Sequence, residues 1–509
     1  MSIFEPGNIP RIFGYEDAAD EDIIRLKQYF LKRSDYYTIK SDLPLSIVVG
    51  FKGVGKSALL KIAYEEDIED NKPTLWIRPD DIIEMVEDLS KEKDFSRMVL
   101  LWKRGIAKLI ASRIASNWMF VYGDEAKSAL MWAQESGYRS RDFIQKIVSL
   151  LNPKFKSTID LASEKIPHEQ GEHHILQRLI DDKKIILYFD DLDAGWEATE
   201  IERKKLSALI LALRNMTTDI PGFKARLALR TDVYTLLRES DESTDKFEQY
   251  VVNCNWKNHD ILILLVKRVL TYFGDNVKDM DLEKKNQYEL NDELSKIMDT
   301  RFTHTFAWKN KPTHKVIMSL IRSRPRDMIK LCSLAAKAAY DREENTDKIR
   351  DIDFEKILPE YSSNRLQDIV NEFKNEMVNL EALLYRMAPT RKEINEKQKD
   401  LYVYTTAELL KKIKNVQQNI KLELIYKREK NIPTEPSDIA HFLYKIGFIT
   451  ARKIINGKIE RKYYDEKKQL LKSGQIGDGG YSWEIHPAYR SAISTSQKNS
   501  WMNTVKIED

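Results

Sequence analysis

The segment Gly50-Phe51-Lys52-Gly53-Val54-Gly55-Lys56-Ser57 fits the pattern G-x-x-x-x-G-K-[ST] in full. An apolar run, Leu45-Ser46-Ile47-Val48-Val49, leads into it. A helix-prone run, Ala58-Leu59-Leu60-Lys61-Ile62-Ala63, leaves it. Strand, glycine loop and helix in that order make a phosphate cradle. The glycines let successive N–H groups converge on an anion, and the helix start adds its positive end. Gly50, Gly53, Val54, Gly55, Lys56, Ser57 and Ala58 are therefore the expected nucleotide contacts. Lys56 is expected to reach the β/γ oxygens, and the Ser57 hydroxyl to ligate Mg²⁺.

Such a cradle needs an acid at the end of a neighbouring strand. Ile185-Ile186-Leu187-Tyr188-Phe189 followed by Asp190-Asp191-Leu192-Asp193 supplies it, as a buried parallel strand ending in carboxylates. Asp190 is expected in the Mg²⁺ shell. Asp191 stands where many ATPases orient the attacking water with a glutamate; one methylene shorter, it predicts slow or gated hydrolysis. Further strands are predicted at 74–78, 225–229 and 250–254. Together they give a parallel, doubly wound five-stranded sheet in an α/β, three-layer αβα core. Arg230 closes the fourth strand, where a polar group senses the γ-phosphate, a surface arginine capping the sheet being the other reading. The stretch 80–183 reads as a helical insertion at the sheet edge, with a helix at 143–151. His168, Glu169, His173 and His174 in it lack metal-ligand spacing and read as solvated histidines.

The 83 Lys+Arg against 80 Asp+Glu leave a net charge of +3, so any nucleic-acid surface must be local. The two cysteines, Cys254 and Cys332, form no framework and fit a reducing compartment. The N-terminus has no leader pattern, and no apolar run is long enough to span a bilayer. A cytoplasmic protein without a membrane partner is expected.

These residues resemble the P-loop ATPases of the AAA+ class, in particular the signal-transduction (STAND) and origin-recognition-like branches. The resemblance rests on Ile12-Phe13-Gly14-Tyr15-Glu16, the glycine loop, the Asp-Asp-Leu-Asp strand, Arg230, and Ser323-Arg324-Pro325-Arg326-Asp327. It implies ATP as the ligand with Mg²⁺ as cofactor, and Phe13 and Gly14 beside the adenine. It further implies Arg326 as a second γ-phosphate sensor, and self-association with Arg238, Arg322 or Arg324 as a candidate arginine finger. The combination also resembles bacterial ATPases of anti-phage loci, which implies a separately encoded effector. An origin- or loader-type DNA-binding ATPase and a non-hydrolysing scaffold remain as alternatives.

The expected domains are a core at 1–256, a helical lid at 257–345 with ATP between the two, and a C-terminal region at 346–509. Long helices are predicted at 365–387 and 407–430. A helix at 437–446, capped by Ser437 and stopped by Gly447, runs into a hairpin turning at Asn456-Gly457, with a third strand at 481–485. Helix then hairpin is the tail of a winged helix. Its predicted register sets Arg452 against Arg461 and Lys453 against Glu460. Like charges in register favour an anion lying across them. Arg452, Lys453, Lys458, Arg461 and Lys462 are the candidate contacts to DNA phosphates or an acidic protein, a purely intramolecular wing being the other reading.

Overall fold

A computed structural model of the chain describes residues 2–509 except 71, 73, 79–80, 82–91, 123–184, 241, 305–307, 344–345, 398–399, 457, 473–478, 495–501, 503, 506 and 508–509. It divides into two compact units: Lys32–Lys52 with Lys56–Cys254, and Met1–Leu31 with Gly53–Gly55 and Asn255–Asp509. The first 31 residues thus group with the C-terminal part, not with the sheet as the expected 1–256 core had them.

The sheet unit holds β1 (Leu45–Gly50), β2 (Thr74–Ile77), β3 (Ile185–Phe189), β4 (Phe223–Arg230) and β5 (Val251–Asn253). All pairings are parallel and the order is β2-β3-β4-β1-β5. This is a P-loop NTPase fold in which β4 lies between the strand feeding the glycine loop and the strand bearing the acids.

The two faces of the sheet follow the period of two along β3. Ile185, Leu187 and Phe189 point into a core shared with Trp102, Ile106, Leu209 and Leu213. Those four come from the helices Phe95–Tyr122 and Glu200–Asp219, the latter opened by a Thr199/Glu202 capping box. Tyr188 points the other way, and its hydroxyl donates to Asp67 of the helix Lys56–Glu69 at 2.6 Å. The helix Phe95–Tyr122 therefore covers a sheet face and is not an edge insertion. Its Met98, Trp102, Ile106 and Ile110 supply the apolar stripe that requires this. The predicted helix at 143–151 and His168, Glu169, His173 and His174 lie outside the described residues.

In the other unit, short helices Ile9–Phe13 and Ile23–Tyr29 join a set that includes Asn258–Tyr272, Pro325–Arg342 and Asp351–Phe373. The two long helices predicted beyond residue 365 are each broken. Asp351–Phe373 and Leu380–Arg386 are separate, as are Thr406–Gln417 and Ile425–Glu429. The breaks pair with each other. Met377 bridges Leu424, and the Val378 N–H donates to the Glu423 carbonyl at 2.9 Å. Tertiary pairing here overrides helical propensity.

The helix Pro436–Lys445 starts one residue before the predicted position. Pro436 takes the first turn, and Glu435 with Asp438 forms the cap instead of Ser437. Gly447 ends it at φ +72°. β7 (Ile449–Ile455) and β8 (Lys458–Lys462) form the hairpin in a four-stranded sheet, order β6 (Val403–Tyr404), β9 (Ser482–Ile485), β7, β8.

Candidate nucleotide site

Gly53 and Gly55 adopt φ +83° and +93°, a region closed to most side chains. That is the local reason the loop needs glycine there. Lys56 begins the helix and folds back over its own loop, its Nζ donating to the carbonyls of Gly50 (2.9 Å) and Phe51 (3.2 Å). Ser57 is half-buried, and its hydroxyl donates to Asp190 Oδ1 at 3.3 Å. Ala58 follows on the same helical turn, also half-buried. Val54 is buried, and its carbonyl accepts from Trp256 Nε1 at 2.7 Å.

Burial, then the charge of Asp191, pushes the Asp190 carboxyl up to about 6, against the Ser57 hydroxyl and the Lys56 charge. A buried carboxylate beside a hydroxyl is a hard-oxygen donor set that fits Mg²⁺, which keeps several waters and needs few protein ligands. Ser57 and Asp190 are the residues that would hold it. Asp191 is exposed at φ +56°, a left-handed position that aspartate tolerates better than most residues.

Arg230 ends β4 directly opposite Gly50 in the β1 register. Its guanidinium is clamped: Nη2 donates to Asp232 Oδ2 at 2.6 Å, and Nε lies 3.1 Å from Asp232 Oδ1 and 3.3 Å from Asp193 Oδ2. Burial raises the Asp193 carboxyl, and Arg230 opposes the shift. Asp193 and Asp232 are the residues that sequence reasoning left without a role. The signal was present, since each lies within three residues of a predicted site residue.

The other unit carries the remaining expected residues. Phe13 is fully buried, and its carbonyl accepts from the buried Arg268. Gly14, at φ +83°, leaves no room for a Cβ against Arg268 and Glu21. Arg326 donates its backbone N–H to the Gly53 carbonyl at 3.2 Å and its Nε to the Glu16 carbonyl at 3.0 Å. Arg322 and Arg324 are buried and engaged by Asp327 (2.6 Å) and Glu372 (3.5 Å), whereas Arg238 is half-exposed beside Glu248.

The hairpin register is the predicted one, with Arg452 opposite Arg461 and Lys453 opposite Glu460. The anions across the arginines belong to the chain itself. Arg461 Nε donates to Glu484 Oε2 at 2.7 Å, and Arg452 Nη1 to Asp400 Oδ1 at 3.2 Å. Both arginines are buried. Lys462 pairs with Glu466 and Glu460, and Lys453 Nζ donates to the Gly479 carbonyl at 3.1 Å. Lys458 opens β8 opposite Ile455. Among the described residues no cluster of three or more His, Cys, Asp or Glu could hold a metal, and no helix is long and apolar enough to cross a membrane.

Residues 281–370 match a family described as the FunZ-associated C-terminal helical domain. The chain is 24% identical over 506 residues to the putative transposon gamma-delta 80.3 kDa protein of Escherichia coli K12, across 93% of this chain and 66% of that one. It thus spans just under two thirds of that relative. Similar solved structures include the Walker-type ATPase PABY2304 of Pyrococcus abyssi, at TM-score 0.38 and 12% identity, covering 91% of this chain and 95% of that one. The Aeropyrum pernix ORC2 protein is similar at TM-score 0.40 and 10% identity, over 91% of each chain. The fold assignment rests on this chain's own strand order and loop.

Proposed function

We propose that this protein is a Mg²⁺-dependent, ATP-binding and slowly hydrolysing switch. The observation that carries the reading is the Ser57–Asp190 hydrogen bond, which brings the end of the glycine loop to the acid of a strand two positions away in the sheet. Bound Mg²⁺ would neutralise charge on the phosphates and hold them for attack. Lys56 leaves its two carbonyl partners for the β/γ oxygens, and the loop amides hold the phosphate tail. Asp191 orients water with a short reach. Arg230 and Arg326 gain contacts only with a γ-phosphate, so ATP and ADP favour different states. Phe13 and Gly14, set by Arg268, shape the segment expected beside the base.

The biological reading is a self-associating ATPase that acts with a separately encoded partner in bacterial anti-phage defence, supported by the motif resemblance. The second reading is DNA handling, which the transposon attribution of the 24%-identical relative favours. The internal pairing of Arg452 and Arg461 supports a protein-facing or packed hairpin over a duplex-gripping one.

Calorimetric titration with Mg-ATP and steady-state hydrolysis test the first reading. Wild type is expected to bind saturably and to outpace Lys56→Ala and Asp191→Asn. No saturation by folded wild type overturns nucleotide binding. Saturation with turnover no faster than both variants leaves a non-hydrolysing scaffold.

A further inference from the structure

We propose that Asp327, Arg322 and Tyr489 form a buried relay that positions Arg326 and reports its state to the C-terminal hairpin. The proposal rests on the nucleotide reading above and adds the route by which nucleotide state leaves the site.

Asp327 follows Arg326 in the first turn of the helix Pro325–Arg342, and both its oxygens are occupied. Oδ2 accepts Arg322 Nε at 2.6 Å, while Oδ1 accepts Arg322 Nη2 at 2.8 Å and Arg365 Nη1 at 2.7 Å. Ser323, at φ +54°, makes the turn that returns Arg322 onto Asp327. Two arginines hold the Asp327 carboxyl far below the ordinary carboxylate range despite its burial. The remaining Arg322 nitrogen, Nη1, donates to the Tyr489 hydroxyl at 3.0 Å. Tyr489 stacks on Phe448 with ring centroids 5.3 Å apart, and Phe448 immediately precedes β7.

At the other end Arg326 presses on the loop tip. A Cβ built on Gly53 would meet Arg326 Cβ at 2.9 Å. A change at Gly53 that moves Arg326 must therefore move the first helical turn. Asp327 cannot follow without breaking a buried bidentate pair, or carrying Arg322 and Tyr489 with it. Close-packed interiors shift between discrete arrangements and do not deform smoothly. Coupling is reciprocal, so a partner that displaces the hairpin changes the affinity for ATP. Asp327, Arg322 and Tyr489 are positioning residues in this scheme, since none is placed against the nucleotide.

The test labels Ile454→Cys with an environment-sensitive dye in the full chain. Ile454 is 59% exposed on the hairpin, and both native cysteines are buried. In the otherwise wild-type protein the dye is expected to give different signals with a non-hydrolysable Mg-ATP analogue and with ADP. Tyr489→Phe keeps the stacking ring and removes only the hydroxyl. It is expected to reduce that difference at least about fivefold and to raise KM for ATP more than it changes kcat. Arg322→Lys is expected to do the same and serves as the second variant. Identical signals from both nucleotides in a labelled chain that binds them overturn the coupling. A full signal difference in Tyr489→Phe overturns the route through Arg322. Absence of nucleotide binding by the folded parent overturns the underlying reading instead.

Discussion

Gly50 and Arg230 stand opposite one another in the parallel register of β1 and β4, so the first glycine of the loop and the last residue of the middle strand share the carboxyl end of the sheet. Arg230 reaches that end already held by Asp193 and Asp232. Arg230→Ala is expected to lower kcat by about 10²-fold, the usual cost of one preorganised charge donor, with ATP affinity changed only a few-fold. Asp193→Asn is expected to weaken the clamp and alter kcat without loss of binding. Single-turnover hydrolysis beside equilibrium titration checks both.

Asp191 offers a second test. Its left-handed backbone suits Asp and Asn alike, so Asp191→Asn is expected to fold as wild type and lose hydrolysis. Asp191→Glu extends the carboxylate by one methylene and is expected to raise turnover if reach limits the rate. A drop in melting temperature together with lost ATP binding in Asp191→Asn contradicts the assigned role.

The parts legible from sequence are those in which one local pattern decides the outcome. The glycine loop, the apolar β3 run ending in acids and the Asn-Gly hairpin each carry turn or burial chemistry in a few residues. The register Arg452–Arg461 followed from the turn alone. What sequence did not show is where counter-charges come from. Glu484 lies 23 residues beyond Arg461, and only the antiparallel pairing of β9 with β7 brings it there. The helix breaks near residues 377 and 424 were hidden for the same reason, since each is stabilised by the other. The grouping of residues 1–31 with the C-terminal part likewise depends on a long-range partner, Arg268 at Phe13.

Gly53→Ala separates conformation from charge. The new methyl lies 2.9 Å from Arg326 Cβ on a backbone at φ +83°. Together these are expected to cost about 1–3 kcal/mol and to weaken Mg-ATP binding by at least tenfold. Gly55→Ala meets no atom within 4 Å but keeps the strained φ, so it is expected to cost less stability. Denaturant melts and calorimetry on both variants check the order.

The stability contributed by His486 is expected to fall as pH drops below about 6.5. Burial, then the charges of Arg461 and Arg322, lowers the His486 imidazole to about 3. Its Nδ1 accepts the Ala488 N–H at 3.1 Å, a contact that only the neutral ring makes. A folded pKa below the unfolded one means the unfolded chain binds the extra proton. The stabilisation is therefore complete above pH 6.5 and is lost at about 1.4 kcal/mol per pH unit between there and 3. Asp190 and Asp465, both pushed up to about 6, act with the opposite sign. Comparison with His486→Asn, which caps the helix without titrating, isolates the histidine. In urea melts at pH 7.5 and 5.0 the stability advantage of wild type over the variant is expected to be about 2 kcal/mol smaller at pH 5.0.

Glu484 decides how the hairpin should be read. It is buried with Arg461 on one side and Arg490 on the other, and these two arginines hold its carboxyl down to about 2. Glu484→Gln leaves two buried guanidiniums short of a countercharge and is expected to destabilise by about 3–5 kcal/mol. Arg461→Met removes one cation and its need together, and is expected to cost less. If the hairpin gripped duplex DNA through Arg452 and Arg461, both side chains would have to leave Asp400 and Glu484. Binding would then carry a steep salt dependence abolished by Arg452→Met with Arg461→Met. The pairing on β7, β8 and β9 predicts the opposite. Any DNA affinity is expected to survive that double substitution with its salt slope unchanged, because those two charges are already neutralised inside the protein.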